Sequence, residues 1–269
     1  MAQHCTAGSS FLFFILLATS PAQKFHVVVN MKFSKIAALI VFIASFAFLL
    51  SFAGRQGGLS SQKINYSDSS LKSYLALGDS YTIGESVPTA ENYPHQLTEA
   101  LKRAGIKMND PEIRAVTGWT TGDLIASLRQ IPPQLKKYDL VTLLIGVNNQ
   151  YQGRTLNEYG IEFRFLLNEA ISYAGDKKNV IVISIPDYSV TPFADGSDTA
   201  AIAKEIDTFN AAQKKICTEE GVKFIDITPI SRKGKKDGFM QAADGLHPSD
   251  KQYAEWVVSL APKAKEVME

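Results

Sequence analysis

Five short apolar runs, each followed by a stretch with helical spacing, constrain this chain more than any other feature. The runs are 74–78 (YLALG), 112–117 (EIRAVT), 139–146 (DLVTLLIG), 179–186 (NVIVISIP) and 222–228 (VKFIDIT). Three are nearly continuous Val, Ile and Leu, as suits strands covered on both faces. Between them, 91–105, 121–130, 155–175 and 198–220 carry apolar residues three and four apart, and a final helix is expected over 249–267. Such alternation implies α/β architecture: a five-stranded parallel sheet joined by right-handed crossovers. No internal repeat is visible.

The N-terminal quarter reads differently. Residues 11–17 (FLFFILL) and the run Ile36–Ala53 are apolar, and Met31-Lys32-Phe33-Ser34-Lys35 places a basic segment ahead of the second run. That run is 18 residues long, near the lower limit for spanning a bilayer. Residues 31–54 are therefore a signal peptide or a membrane anchor. Ser51-Phe52-Ala53 supplies small residues where a signal peptidase reads, which favours cleavage near Gly54. Met31 reads as the true start, leaving 1–30 as a leader or misassigned start. Residues 55–73, rich in Gly and Ser, read as a flexible linker. One α/β domain then occupies 74–269, a length that supports a full core. The expected location is exported: secreted, periplasmic, or anchored with membrane association through 36–53.

A formal charge of +1 gives no reason to expect nucleic acid or a strongly acidic partner. The stretch RKGKKDG, 232–238, reads as a solvated basic loop. The two cysteines are Cys5, in the leader, and Cys217, so no disulfide is expected within the domain.

In open parallel sheets, ligands sit beyond the carboxyl ends of the strands. Gly78-Asp79-Ser80 follows the first run, Thr117-Gly118-Trp119-Thr120 the second and Gly146-Val147-Asn148-Asn149 the third. Asp244-Gly245-Leu246-His247 precedes the last helix. All four clusters should face one crevice. A serine hydroxyl needs a base to take its proton, and the base needs an acceptor that fixes its tautomer. Of four histidines, His4 and His26 lie in the leader and His95 lies within a helical pattern, where a structural role is expected. His247 is left, with Asp244 three residues before it, so the carboxylate can fold back on ring Nδ1 and leave Nε2 facing Ser80. Asp79 adjoins the nucleophile and is expected to bond backbone amides in the turn. An oxyanion needs donors. The Ser80 N–H, the Gly118 N–H and the Asn148 amide are candidates, although Gly118 also suits a simple turn and Asn148 a loop bond to backbone.

GDS at 78–80, Gly118, GVNN at 146–149 and DGLHP at 244–248 together resemble the four sequence blocks of the SGNH (GDSL) esterase and lipase family. The blocks stand in the family's order and span nearly the whole domain. The resemblance implies a flavodoxin-like three-layer α/β/α sandwich. It implies Ser80 as nucleophile, Asp244 and His247 as its partners, and Ser80, Gly118 and Asn148 as the oxyanion hole. It also implies metal-independent ester hydrolysis through an acyl-serine intermediate, with no cofactor. One position departs from the pattern: the third block ends in Asn149 where the family usually has Asp. An amide there can donate as well as accept, which changes how the loop is braced. No Gly-x-Ser-x-Gly elbow is present, which disfavours the α/β-hydrolase fold.

Tyr81, Trp119, Asn149 and Tyr151 are the candidate substrate-binding residues, with Tyr81 and Trp119 equally able to serve as packing. The loop PDYSVTPFADGSD, 186–198, is placed over the site or along the surface. Expected substrates are small-molecule, lipid or glycan esters. Transfer of the acyl group to a sugar hydroxyl would use the same residues, and a non-catalytic binding module is the remaining alternative. A metal site is not expected, since the domain's two histidines lie far apart and no cysteines cluster. The intact mass of the exported protein decides the fate of residues 36–53: cleavage yields a chain beginning near Gly54, and retention yields one that still carries the apolar run.

Overall fold

The strand Tyr74–Gly78 (β1) is buried along its whole length and hydrogen-bonds to a neighbour on each side. The computed structural model describes residues 70–235 and 240–269, and also the two-residue strands Phe13–Phe14 and Val28–Val29, which pair antiparallel. By contacts the chain divides into Met1–Lys63 and Ile64–Glu269. The signal or anchor reading of 31–54 lies outside the described residues, as do the leader reading of 1–30, those two short strands apart, and most of the 55–73 linker. The last linker positions are already part of the fold. Lys72 N–H donates to the Lys107 carbonyl, and Ser73 N–H and Oγ both donate to the Asp139 carboxylate.

From β1 the chain enters the short helix Ser80–Ile83 (α1) and then Tyr93–Arg103 (α2), Glu112–Ala115 (β2) and Thr121–Gln130 (α3). Leu140–Leu144 (β3), Val147–Tyr151 (α4), Leu156–Ala174 (α5), Val180–Ile183 (β4), Thr199–Glu220 (α6) and Lys223–Ile225 (β5) follow. Thr228–Ser231 (α7) and Asp250–Met268 (α8) complete the domain. The sheet is wholly parallel with strand order β2-β1-β3-β4-β5. This is the flavodoxin-like doubly wound order. Right-handed crossovers then put α2 on one face and α3, α5 and α6 on the other. The expected five-stranded α/β/α sandwich is what the chain adopts.

Each of the longer helices begins where a side chain can take an orphan backbone N–H. Thr120 and Asp123 form a reciprocal capping box on α3, Thr155 caps α5, Asp198 caps α6 and Ser249 caps α8. Helix α8 packs on α2 through three buried aromatics: Tyr93, Tyr253 and Trp256, the last two in edge contact at 4.9 Å. The Tyr253 hydroxyl donates to the Tyr81 carbonyl at 3.0 Å, which ties α8 to the turn after β1. Among the described residues, no helix is long and apolar enough to cross a membrane.

The strand register puts Gly78, Ala115 and Leu144 side by side at one edge, so the loops that follow them emerge together. At Gly78 a Cβ would fall far inside contact distance of the Thr82 hydroxyl and the Leu144 carbonyl. Neither can retreat easily, one being on the first turn of α1 and the other on β3. Gly78→Ala is therefore expected to lower the urea midpoint and cost about 1–3 kcal/mol through overpacking. An unchanged midpoint would show that the junction has slack.

Candidate active site

Asp79 leaves β1 in extended conformation and caps α1, its carboxylate accepting the Tyr81 N–H at 3.0 Å. Ser80 is thereby the first residue of α1, buried at the sheet edge. Gly84 closes the turn in left-handed conformation, and the N–H groups of Gly84 and Glu85 both donate to the Ser80 carbonyl at 3.0 Å. The nucleophile candidate is thus held from before and behind by its own segment.

The Asp79 side chain is completely buried, and its Oδ2 has no hydrogen-bond partner. Burial pushes its pKa up to about 7, against the opposing pull of the Tyr81 N–H. It acts as a turn brace, as expected.

Asp244 has the opposite environment. Partial burial pushes its carboxyl up, but hydrogen bonds from His247, from Ser86 and from the backbone N–H groups of Leu246 and His247 outweigh that. They hold it well below the usual carboxylate range. His247 Nδ1 lies 2.6 Å from Asp244 Oδ2, while Asp244 Oδ1 takes the N–H groups of Leu246 and His247 at 2.9 and 3.0 Å. Beside an ionised carboxylate, the neutral form of the ring carries its proton on Nδ1 and leaves Nε2 to accept. The buried His247 ring stands edge-on to Tyr81, centroid to centroid 5.5 Å, directly beside the residue that follows Ser80. His95 behaves differently. On α2, its Nδ1 and its backbone N–H both meet Asn92 Oδ1, at 2.8 and 3.0 Å, and burial lowers its pKa. That is a structural histidine.

Gly118 lies in the loop after β2 with φ of +85°, and a Cβ there would meet nothing within 4 Å. Glycine is required by backbone conformation, since the surroundings are open. On α4, the Asn148 amide donates to the Trp119 carbonyl at 2.9 Å, joining the loops after β2 and β3. Asn149 is only 1% exposed and spends both ends of its amide on Thr121, accepting from the N–H at 3.0 Å and donating to Oγ1 at 2.6 Å. These two bonds make Asn149 a brace between the segments that follow β2 and β3. Tyr81 is also packed away, its ring buried against His247 and its carbonyl bonded to Tyr253. Trp119 is half-buried against the core. Tyr151, by contrast, is 57% exposed.

Sequence reasoning did not single out three residues of this region. Ser86 donates to Asp244 Oδ2 at 2.6 Å across 158 positions of sequence. Tyr188 and Phe193, in the 186–198 loop, form with Tyr151 a cluster of rings whose centroids lie 6.1 to 6.3 Å apart. Phe193 is 47% exposed. Its N–H donates to the Gly245 carbonyl at 3.0 Å, so this loop is tied to the one carrying Asp244 and His247. The far end is held where Arg232 bridges Asp187 and Asp207 at 2.8 and 2.7 Å. No motif marks Ser86, and the ring cluster assembles from segments some 40 positions apart. Among the described residues, no group of acidic, histidine or cysteine side chains is placed to hold a metal ion.

A doubly wound parallel sheet with polar clusters at the carboxyl ends of its strands is a ligand-binding architecture. Residues 76–255 match the GDSL-like lipase/acylhydrolase family, and the chain belongs to it. Solved structures agree in fold. TesA aligns at 19% identity over 73% of this chain and 99% of its own, with a TM-score of 0.56. Axe2, an acetylxylan esterase from Geobacillus stearothermophilus, aligns at 20% over 73% and 94%, with a TM-score of 0.54. A lipase/acylhydrolase from Enterococcus faecalis aligns at 19% over 72% and 96%, with a TM-score of 0.57. No curated protein matches the sequence.

The raised Asp79 pKa carries a stability consequence. The native carboxyl holds its proton more tightly than the unfolded one, so between about pH 4 and 7 the native state binds more protons. Stability from this group therefore falls as pH rises through that window and levels off above it. Asp79→Asn keeps an acceptor for the Tyr81 N–H and cannot ionise. Its thermal midpoint should gain on the wild type progressively from pH 4 to 7; a constant difference across that range would contradict the assignment.

Proposed function

We propose that this domain is a serine esterase that cleaves carboxylic esters through an acyl-Ser80 intermediate. The observation that supports the reading best is the 2.6 Å hydrogen bond between Asp244 Oδ2 and His247 Nδ1, in a ring seated beside the turn that carries Ser80. In this reading His247 Nε2 takes the Ser80 proton as Oγ attacks the ester carbonyl, then returns it to the departing alkoxide. A water repeats the sequence to free the acid. Asp244 stays ionised throughout and stabilises the imidazolium. The developing oxyanion is met by the N–H groups of Ser80 and Gly118 and by the Asn148 amide, whose second N–H is left over after the first has bonded Trp119.

Tyr151 and Phe193 are proposed to receive the apolar part of the ester at the mouth of the crevice, with lipid, short-chain acyl and acetylated-glycan esters as the candidate classes. Export through residues 31–54 belongs to the same proposal.

The test is hydrolysis of p-nitrophenyl acetate and butyrate by the purified protein. Ser80→Ala and His247→Gln should each lower kcat by roughly 10³-fold or more, and His95→Gln should leave it within about twofold. Activity that survives Ser80→Ala, or that is lost with His95→Gln alone, would refute the assignment. A chain-length series that includes an acetylated glycan then identifies the substrate class. Tyr151→Ala should raise KM for the preferred member more than it changes kcat.

A further inference from the structure

Ser86 is a serine held at φ of +66°, the one non-glycine residue among those described with a left-handed backbone. Side chains with a Cβ avoid this region, and such strain persists only where the surroundings enforce it. The enforcing contacts are on either side of it. Gly84 and Glu85 are pinned by their N–H groups to the Ser80 carbonyl, and the Glu85 carboxylate accepts the Thr117 hydroxyl next to Gly118. Ser86, next in line, is turned so that its hydroxyl reaches Asp244 Oδ2 at 2.6 Å.

The Asp244 carboxylate accepts four hydrogen bonds. Three come from its own loop: the Leu246 N–H, the His247 N–H and His247 Nδ1. The fourth comes from Ser86. Asp244 and His247 are only three residues apart, so their mutual bond does not by itself require the loop to be aligned with Ser80. Ser86 is the polar tie between that local pair and the segment that carries the nucleophile. It also shares Oδ2 with the imidazole, and so fixes the oxygen that orients the ring.

We propose that Ser86 is a positioning residue of the reaction centre: its hydroxyl holds Asp244 Oδ2 in line with His247 Nδ1 and couples the acid–base pair to the Ser80 turn. The inference rests on the reading of Ser80, Asp244 and His247 given above. Hydroxyl and backbone strain are separable here. Ser86→Gly removes the hydroxyl and relieves the left-handed conformation, whereas Ser86→Ala removes the hydroxyl and keeps the strain.

Both variants should lose about tenfold in kcat for p-nitrophenyl butyrate, the scale of one hydrogen bond to a charged group, with KM little changed. The thermal midpoint of Ser86→Gly should be no lower than that of the wild type. In an Asp244→Ala background, Ser86→Gly should cause no further loss, because the tie has nothing left to hold. A Ser86→Gly enzyme with wild-type kcat would overturn the proposal, whatever Ser86→Ala does, since the backbone and not the hydroxyl would then matter. An additive loss in the Asp244→Ala background would overturn it too. Failure of the underlying reading is seen separately, as full turnover by Ser80→Ala or Asp244→Ala in the same assay.

Discussion

Gly78 ends β1 without a side chain because the Leu144 carbonyl and the Thr82 hydroxyl already fill the space a Cβ would need. That close approach sets the geometry of the whole edge. β1 is hydrogen-bonded on both flanks, so it cannot shift without moving β2 and β3. The chain must therefore turn into α1 within a single residue, Asp79, and Ser80 emerges at a position fixed by the sheet. The loops after β2 and β3 emerge beside it because the strands are in register. Their mutual bonds, Asn148 to Trp119 and Asn149 to Thr121, then set the distance between them.

Two aspartates flank this edge, and their environments push them in opposite directions. Asp79 is sealed from water, with one oxygen unpartnered, so its charged form is penalised. Asp244 is partly exposed and accepts four hydrogen bonds, so its charged form is favoured. The second is fully ionised near neutral pH and can orient an imidazole by its charge. A brace next to the nucleophile that shed its charge would also disturb the serine less than a full carboxylate would. Separation of the two roles follows from solvation and donor supply; the residue type is the same.

The architecture was legible in the sequence because its signals are local. Continuous Val, Ile and Leu mark β3 and β4, while Gly78 and Gly146 mark where strands must give way to helices. The boundaries of α3 and α6 fall within a residue of where apolar spacing places them. The expected strands over 112–117, 179–186 and 222–228 run longer than the observed ones. In each, the apolar pattern continues past the point where backbone groups leave the ladder. After β5, for example, Ser184 Oγ takes the N–H groups of Ile227 and Thr228 and begins α7. The pairing of Asp244 with His247 was legible from scarcity and spacing. The bracing bonds of Asn149 were not, because their partner Thr121 lies 28 positions away. Ser86 and Phe193 were hidden for the same reason: their partners, Asp244 and Gly245, are brought to them only by closure of the fold.

The Asn148 amide illustrates how such closure can serve chemistry. One of its N–H groups is bonded to the Trp119 carbonyl, so the plane of the amide is set before any substrate arrives. An amide free to rotate would have to be ordered as charge develops, and that ordering would subtract from its value as a donor. In the proposed reaction Gly118 would serve in the same way, since its left-handed backbone carries no side chain to obstruct an approaching carbonyl. In the proposed reaction these groups are fixed by one another, Asp244 is fixed by Ser86, and Ser80 is fixed by the sheet. The three sets are joined through Glu85 and Ser86, two consecutive residues that reach Thr117 on one side and Asp244 on the other. Preorganisation in this chain would then depend on a short strained turn as much as on the residues that touch the ester.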